Sequence, residues 1–567
     1  MNYCIFLFFV LSLNISTVLY CEAPSWAEKT LHEMSTDEKI GQLFMIAAYV
    51  DSEYAKKETG NSNIIDNTCS YVSHYSVGGI AFAGPSERVK QINLTNEYQK
   101  ASKYPILIAQ DLEWGLSMRL KDGMAFPKNA TLGAINDNNL IYQVGREIGR
   151  QAKLIGVHMN LSPVLDVNIE PENISINVRS FGADPKQVAA NGVAMIQGLQ
   201  DAGIIASAKH FPGLGDITTD PHINLPYNRH DKKRLREVEF YPFTKAIEAG
   251  VLSIQTEHLV IPAFSHTPAS LSHEITTDLL KKELGFKGLI LSGALRMRAL
   301  TKHFSEHQIV LQAFTAGNDM LLMPQDFPKA HQVLKDALAE GKITIEEINK
   351  RVLKILQLKE KVGLHLKRAI DIPLEEEFHS ATAQNLKQTL YRKAVKFRDR
   401  EASLSTQKND RIAYVEIGEP SSQVYFKTLY EQLPLDSFLL AFNDLNTDEL
   451  QTLLQQLKKY DLILLTVYPM DPRRITQIRL LGDKHQTEQL KNFHVHGLPL
   501  QAIKLIDTLN CYSDKIIVAL FGNSFGLPYF SHYPTVLMGY ENQPEAELAA
   551  ADILLIKDTE KTTHLFN

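Results

Sequence analysis

The 567-residue chain has only four cysteines: Cys4, Cys21, Cys69 and Cys511. Two stand in the first 22 residues, and no Cys/His spacing of the zinc type occurs. Neither a disulfide framework nor a metal centre is expected to organise the fold, and Cys69 and Cys511 read as isolated thiols. No long basic run is present and the net charge is −6, which leaves no electrostatic footprint for nucleic acid. Beyond the first twenty-odd residues no segment is apolar enough to cross a bilayer, so the mature body is expected to be soluble. No glycine-rich G-x-G-x-x-G follows an early strand, so a dinucleotide is not expected, and no other cofactor is indicated. Internal repeats and low-complexity tracts are absent as well.

What is present begins with an apolar leader. Ile5 to Val10 is unbroken apolar sequence, and the run continues mostly apolar to Tyr20 before the first acid, Glu22. Its length suits a secretory signal better than a membrane span, although no Lys or Arg precedes it. Residues 1–22 are therefore expected to be removed on export, to a periplasm or to the outside. The cleavage point stays open, and so does lipidation at Cys21, because Tyr20 is bulky where a small residue is required.

The remainder has the balance of an ordinary globular protein, 44% hydrophobic and 22% charged, and the length of two or three domains. From Ser35 to Gly363 short apolar runs alternate with amphipathic stretches. Gly79–Ala83, Pro105–Ala109, Ala206–His210, Leu252–Thr256, Gly288–Ser292 and Asp319–Met323 have strand length and Gly or Pro boundaries. Helical stretches such as Asn138–Ile155, Lys186–Ala202 and Thr276–Glu283 lie between them. This alternation predicts an α/β fold, a (β/α)8 TIM-like barrel over 30–363, with a doubly wound sheet as the structural alternative. Polar residues follow the apolar runs: Asp111 and Glu113, then Lys209 and His210, then Glu257 and His258. In a barrel these strand ends share the face where chemistry is done. A charged linker, 364–384, leads to a second alternating pattern over 385–567. Arg411–Val415, Asp461–Val467, Lys515–Leu520 and Thr535–Met538 are its strands, giving a smaller α/β layer domain.

The densest chemistry is Lys209-His210-Phe211-Pro212-Gly213-Leu214-Gly215-Asp216, followed by Asp220-Pro221-His222. A carboxylate two residues before a histidine can reach the imidazole in a tight loop, fix its tautomer and raise its basicity, which suits a general acid/base. The segment resembles the K-H-F-P-G-x-G-D…D-x-H signature of family 3 glycoside hydrolases in their bacterial β-N-acetylhexosaminidase branch. Other blocks follow in order: Met34–Leu43, Asp111–Gly115 with Arg119, Pro163–Asn168, Arg179–Gly182, Thr256–Ala263 and Glu283–Gly288. In the second domain, Ala519–Asn523 and Ala549–Leu554 are similar too. The resemblance implies that Asp111, Arg119, Arg179, Lys209 and His210 line a sugar pocket for N-acetylglucosamine units. It also implies that His222, oriented by Asp220, is the acid/base, and that the second domain supplies no catalytic residue. An internal ion pair is the competing account of Asp111 and Arg179.

One position departs from the family. Its nucleophile is the Asp of a [S/T]-D-x-L-x-M segment, and this chain reads Ser292-Gly293-Ala294-Leu295-Arg296-Met297. Gly293 cannot attack an anomeric carbon. Glu257, at the end of the preceding strand, is a possible substitute; alternatively it pairs with Lys209 or Arg296. The substrate's own acetamido oxygen is another route. A carboxylate restored at 293 is expected to point at the anomeric carbon. The expected function is thus a glycosidase of β-N-acetylhexosaminidase type, acting on cell-wall or chitin-like glycans by an altered or impaired mechanism. A catalytically silent sugar-binding protein is the alternative.

Overall fold

In the computed structural model the described residues are 24–555, apart from 61–63, 399–409, 443–444, 446, 472–473, 476–477, 479–486 and 489. The leader, with Cys4 and Cys21, lies outside the described residues. Cys69 is half-buried, Cys511 exposed, and both are free thiols. No described helix is long and apolar enough to cross a membrane.

Eight parallel strands build the first sheet: β1 (Phe44–Ala48), β2 (Gly79–Phe82), β3 (Leu107–Gln110), β4 (Met159–Asn160), β5 (Ile205–Phe211), β6 (Ser253–Thr256), β7 (Leu289–Leu291) and β8 (Leu321–Leu322). They neighbour one another in chain order and β1 also pairs with β8. A parallel bridge between Leu291 and Met320 joins β7 to the residues entering β8. The ring is closed, so the fold is a (β/α)8 barrel and not the open doubly wound sheet. Branched and small apolar residues make the strands because both faces are covered, by the barrel interior and by the surrounding helices. Those helices start on sequence signals: Asp137 caps Asn138–Leu154, and Asp184 with Pro185 in the first turn starts Pro185–Asp201. The helix expected at Thr276–Glu283 spans Glu274–Glu283 with wider, π-type hydrogen bonding.

Residues 364–380 run along the barrel as a strap. Leu364 and Phe378 are buried in its core, and the Asn96 side chain exchanges hydrogen bonds with the Ile370 backbone at 2.8 and 2.9 Å. The next helix, Ala381–Ala394, serves two cores. Ala383 and Leu390 pack into the barrel, whereas Tyr391, and Val395 just beyond the helix, pack into the second unit.

The second sheet contains β9 (Lys396–Phe397), β10 (Ile412–Gly418), β11 (Leu435–Leu440), β12 (Leu462–Tyr468), β13 (Ile516–Leu520) and β14 (Thr535–Met538). Its spatial order is β11-β10-β12-β13-β14-β9, parallel except for β9 against β14. Chain order therefore reverses at β10, which lies between β11 and β12.

At the amino-terminal end of the barrel, the fully buried Lys359 donates from Nζ to Gln42 Oε1 at 2.6 Å. Burial, with a smaller push from Arg368, brings its pKa down to about 7. In the unfolded chain that pKa is about 10.4. The penalty is absent above the unfolded value, develops as pH falls, and is complete below the folded value. Stability is thus expected to rise between pH 7 and 10, by about 4 kcal/mol at most from this group. Lys359→Met should raise the urea midpoint at pH 7 and flatten the slope above it. An unchanged slope in the variant would refute this.

Candidate active site

The carboxyl ends of the barrel strands carry the polar residues that the sequence singled out. Beyond β3, Asp111 accepts from Arg119 Nη2 at 2.5 Å and from Lys209 Nζ at 2.6 Å. Burial opposes the Asp111 charge, but Lys209 and Arg119 hold its carboxyl well below the usual carboxylate range. Lys209, on β5, also reaches Glu113 Oε1 at 2.9 Å. Glu113 in turn takes two donors of Arg179, Nε at 2.9 Å and Nη2 at 2.7 Å. Arg179 Nη2 further donates to His210 Nε2 at 3.2 Å, and His210 Nδ1 donates to the buried Asp166 at 2.7 Å. Nε2 thus accepts from the guanidinium while Nδ1 donates to Asp166, which fixes the orientation of the His210 ring.

All five expected sugar-pocket residues therefore join one network. The ion pairs held open as an alternative are present, though Asp111 and Arg179 pair with other residues. The side chains of Asp111, Arg119 and Arg179 stay partly exposed, at 25%, 22% and 15%. Such a rim, held rigid by buried partners, suits the orientation of hydroxyl and amide groups. Sequence reasoning placed Glu113 on the catalytic face without a role and did not assign Asp166 to the site. Both sat in matched blocks, but nothing in a linear reading shows that Glu113 grips Arg179 or that Asp166 orients His210. Arg179→Ala is expected to cost about 3–5 kcal/mol, because it strips a nearly inaccessible carboxylate of its bidentate partner. Equilibrium urea unfolding measures this, and a loss under about 1 kcal/mol would mean that Lys209 alone satisfies Glu113.

Beyond β5 the loop brings Asp220 and His222 together. Asp220 Oδ1 accepts from His222 Nδ1 at 2.8 Å and from its backbone N–H at 2.9 Å. Desolvation would lower the His222 pKa, but the Asp220 hydrogen bond and charge, with Glu257 adding to them, leave it raised. Asp220 stays ionised: burial works against its charge, and the bond to His222 outweighs that. The imidazole is 56% exposed, so its Nε2 is available to a ligand.

Beyond β6, Glu257 is buried and accepts from the His258 backbone N–H at 2.8 Å. Its side chain pairs with neither of the cations named as alternatives. Lys209 is taken by Asp111 and Glu113, and Arg296 by Glu58 at 2.5 Å. A β-carbon placed on Gly293 would stand 2.7 Å from Glu257 Oε1, and 3.0 and 3.1 Å from His258 Cε1 and Nε2. The Glu257 carboxylate thus fills the space into which a side chain at 293 would grow. The expectation that a carboxylate at 293 simply points at the sugar is corrected accordingly: that space is occupied.

Asp216, His230 and Glu239 bring possible metal-ligand atoms within 4.8 Å of one another. Arg234 lies among them, however, 3.2 Å from Asp216 and 2.7 Å from Glu239, and His230 donates to Asp216 at 2.7 Å. The guanidinium stands where a cation would, so the cluster is an ion-pair clasp at the stem of the 216–230 loop.

A closed parallel barrel with acids, bases and cations at its carboxyl face, followed by a second α/β unit, defines a barrel enzyme scaffold. Residues 35–358 match the glycosyl hydrolase family 3 N-terminal domain, and the chain belongs to that family. It is 30% identical over 381 residues to a β-N-acetylglucosaminidase/β-glucosidase of Cellulomonas fimi, covering 64% of this chain and 65% of that protein. The chain thus spans just under two thirds of that relative. It is 35% identical over 272 residues to a β-hexosaminidase of Nitrosomonas eutropha, covering 46% of this chain and 78% of the relative. Among solved structures, a family 3 β-N-acetylglucosaminidase from Paenibacillus superposes with a TM-score of 0.75 at 25% identity, covering 92% of this chain and 96% of that one.

Proposed function

We propose that the chain is an exported β-N-acetylglucosaminidase that removes N-acetylglucosamine from cell-wall or chitin-like glycans by double displacement. In this reading Glu257 takes the nucleophile's part. The observation that carries it is the Glu257 carboxylate oxygen 2.7 Å from a β-carbon built on Gly293, with its charge felt at His222. The relatives' names support the substrate class. Arg119, Asp111, Lys209, Arg179 and His210 orient the sugar. Glu257 attacks the anomeric carbon while His222 Nε2–H protonates the departing glycosidic oxygen. The neutral imidazole then takes a proton from water, the resulting hydroxide attacks the same carbon, and the Glu257 carboxylate is released. Asp220, by accepting from Nδ1–H, keeps the neutral ring in the Nδ1–H tautomer, which leaves Nε2 free to take the proton from water and to carry it in the imidazolium.

Hydrolysis of an aryl β-N-acetylglucosaminide by the purified mature protein tests the proposal, and inert wild-type protein would sink it. Gly293 itself favours a second reading, a sugar-binding protein without turnover. Calorimetry with N-acetylglucosamine separates the two, since binding groups act whether or not a nucleophile is present. Export rests on the apolar leader; amino-terminal sequencing of the protein from its own cells would show the first twenty or so residues missing, and an intact Met1 on cytoplasmic protein would refute it.

A further inference from the structure

Just before the helix Leu500–Leu509, the second unit carries a histidine pair that the catalytic reading does not use, in Phe493-His494-Val495-His496-Gly497-Leu498-Pro499. Phe493 and Pro499 form an antiparallel bridge, and His494 N–H donates to the Leu498 carbonyl at 2.8 Å. Gly497 N–H returns to the His494 carbonyl at 3.0 Å and closes a β-turn over the pair. Gly497 is required there, because its φ is +90° and a β-carbon would stand 2.0 Å from the Met470 carbonyl oxygen. Met470 N–H in turn donates to the Gly497 carbonyl at 2.9 Å. The backbone that presents the two imidazoles is thus fixed on every side.

The rings stand 4.9 Å apart, centre to centre, and are tilted by 47°. Two imidazoles that share one tetrahedral ion, each with its nitrogen about 2.0–2.1 Å from the metal, have ring centres about 5 Å apart. Nδ1 of each ring is buried and has no hydrogen-bond partner among the described residues, and His496 as a whole is only 6% exposed. Two such nitrogens side by side call for a shared partner. Burial, with His494 adding to it, brings the His496 pKa down to about 4, so its ring keeps a lone pair at neutral pH. The surroundings are aromatic: Tyr529 lies 5.6 Å from His494 and 6.0 Å from His496, and Phe525 lies 6.4 Å from His496.

The barrel brings a carboxylate to the pair. Glu172, in the loop after β4, holds Oε1 3.9 Å from His494 Nε2. That is too long for a hydrogen bond and a little beyond the roughly 3.4 Å between two ligand atoms of one tetrahedral zinc ion. The backbone beside it is anchored, since the buried Asn173 donates to the Leu214 carbonyl at 2.6 Å. The Glu172 side chain is 64% exposed and can turn toward the rings. The histidines are the preset part of the arrangement, and the glutamate is the part that moves.

We infer that His494, His496 and Glu172 form a binding site for a divalent transition ion of the zinc type, with water as the fourth ligand. Two imidazoles and one carboxylate favour zinc over calcium and magnesium, which take oxygen ligands. The set has no zinc-type spacing in the sequence because its third member belongs to the other unit. The ion would join the second unit to the loop that also carries Arg179, whose Nη1 donates to the Ser175 carbonyl at 2.8 Å. The test is competition for zinc between the full mature chain and a chromophoric chelator near neutral pH. Wild type should take one equivalent, with a Kd of about 1 μM or lower. His494→Ala, at a partly exposed position, should weaken binding about a hundredfold, and Glu172→Gln, on the surface, about tenfold. Wild-type protein that leaves zinc on the chelator would overturn the site, and so would either folded variant that binds zinc as wild type does. Neither sugar nor turnover is read, so the result stands apart from the fate of the glycosidase proposal.

Discussion

Glu257→Gln is expected to lower kcat on an aryl β-N-acetylglucosaminide by about 10⁴-fold or more, roughly 5 kcal/mol of barrier. Glutamine keeps the size and the bond accepted from the His258 backbone but cannot form the glycosyl ester. Binding of N-acetylglucosamine should change little, since Asp111, Arg119 and Arg179 are untouched. The sharper arm moves the carboxylate. Gly293→Asp alone crowds the Glu257 oxygen at 2.7 Å and sets two carboxylates side by side, so it should lower activity. Gly293→Asp combined with Glu257→Ala vacates that space and should recover much of what Glu257→Gln loses. If Glu257→Gln stays fully active, the acetamido route is the better mechanism; if wild type and all variants are inert yet bind sugar, the binding role stands.

His222→Ala should cost between about 10² and 10⁴ in kcat/KM, and most with poor leaving groups, which need the proton. The pH profile carries the finer test. The free enzyme must hold His222 protonated and Glu257 ionised, so kcat/KM falls on the alkaline side as His222 loses its proton. Since Asp220 keeps that pKa raised, Asp220→Asn should move the alkaline limb to lower pH and leave the acid limb in place. An alkaline limb unmoved in Asp220→Asn would remove His222 from the acid/base role.

Most of the barrel was legible because its strands are buried on both faces and stand out as short branched runs. Two strands escaped for physical reasons. β1 follows the helix Thr36–Gln42 with only Leu43 between them, so no loop separates the two elements, and β4 is only two residues long. In the second sheet β11 reads as alternating and half-exposed, with Asp436 and Ser437 outside, unlike its buried neighbours. The structure brings Asp111, Arg119, Arg179, Lys209 and His210, singled out in the sequence, into one network at the carboxyl ends of the strands. Their pairings were not readable, since Glu113 and Arg179 stand 66 positions apart and meet only through the ring of strands. Glu257 was legible as a candidate near Gly293 because its strand precedes that of Gly293; the pairing of β6 with β7 and the 2.7 Å approach of its carboxylate are what only the structure supplies.

The helix Ala381–Ala394 gives Leu390 to one core and Tyr391 to the other. Adjacent side chains on a single rigid rod cannot abandon one core while the other keeps its full contacts. Unfolding of either unit therefore frays the rod and strips apolar cover from its neighbour, so the two behave as one cooperative block. A cut in the strap before residue 381 would leave the barrel with holes at Ala383 and Leu390. A cut after residue 397 would instead deprive the second sheet of β9, baring the β14 edge to strand addition by another chain.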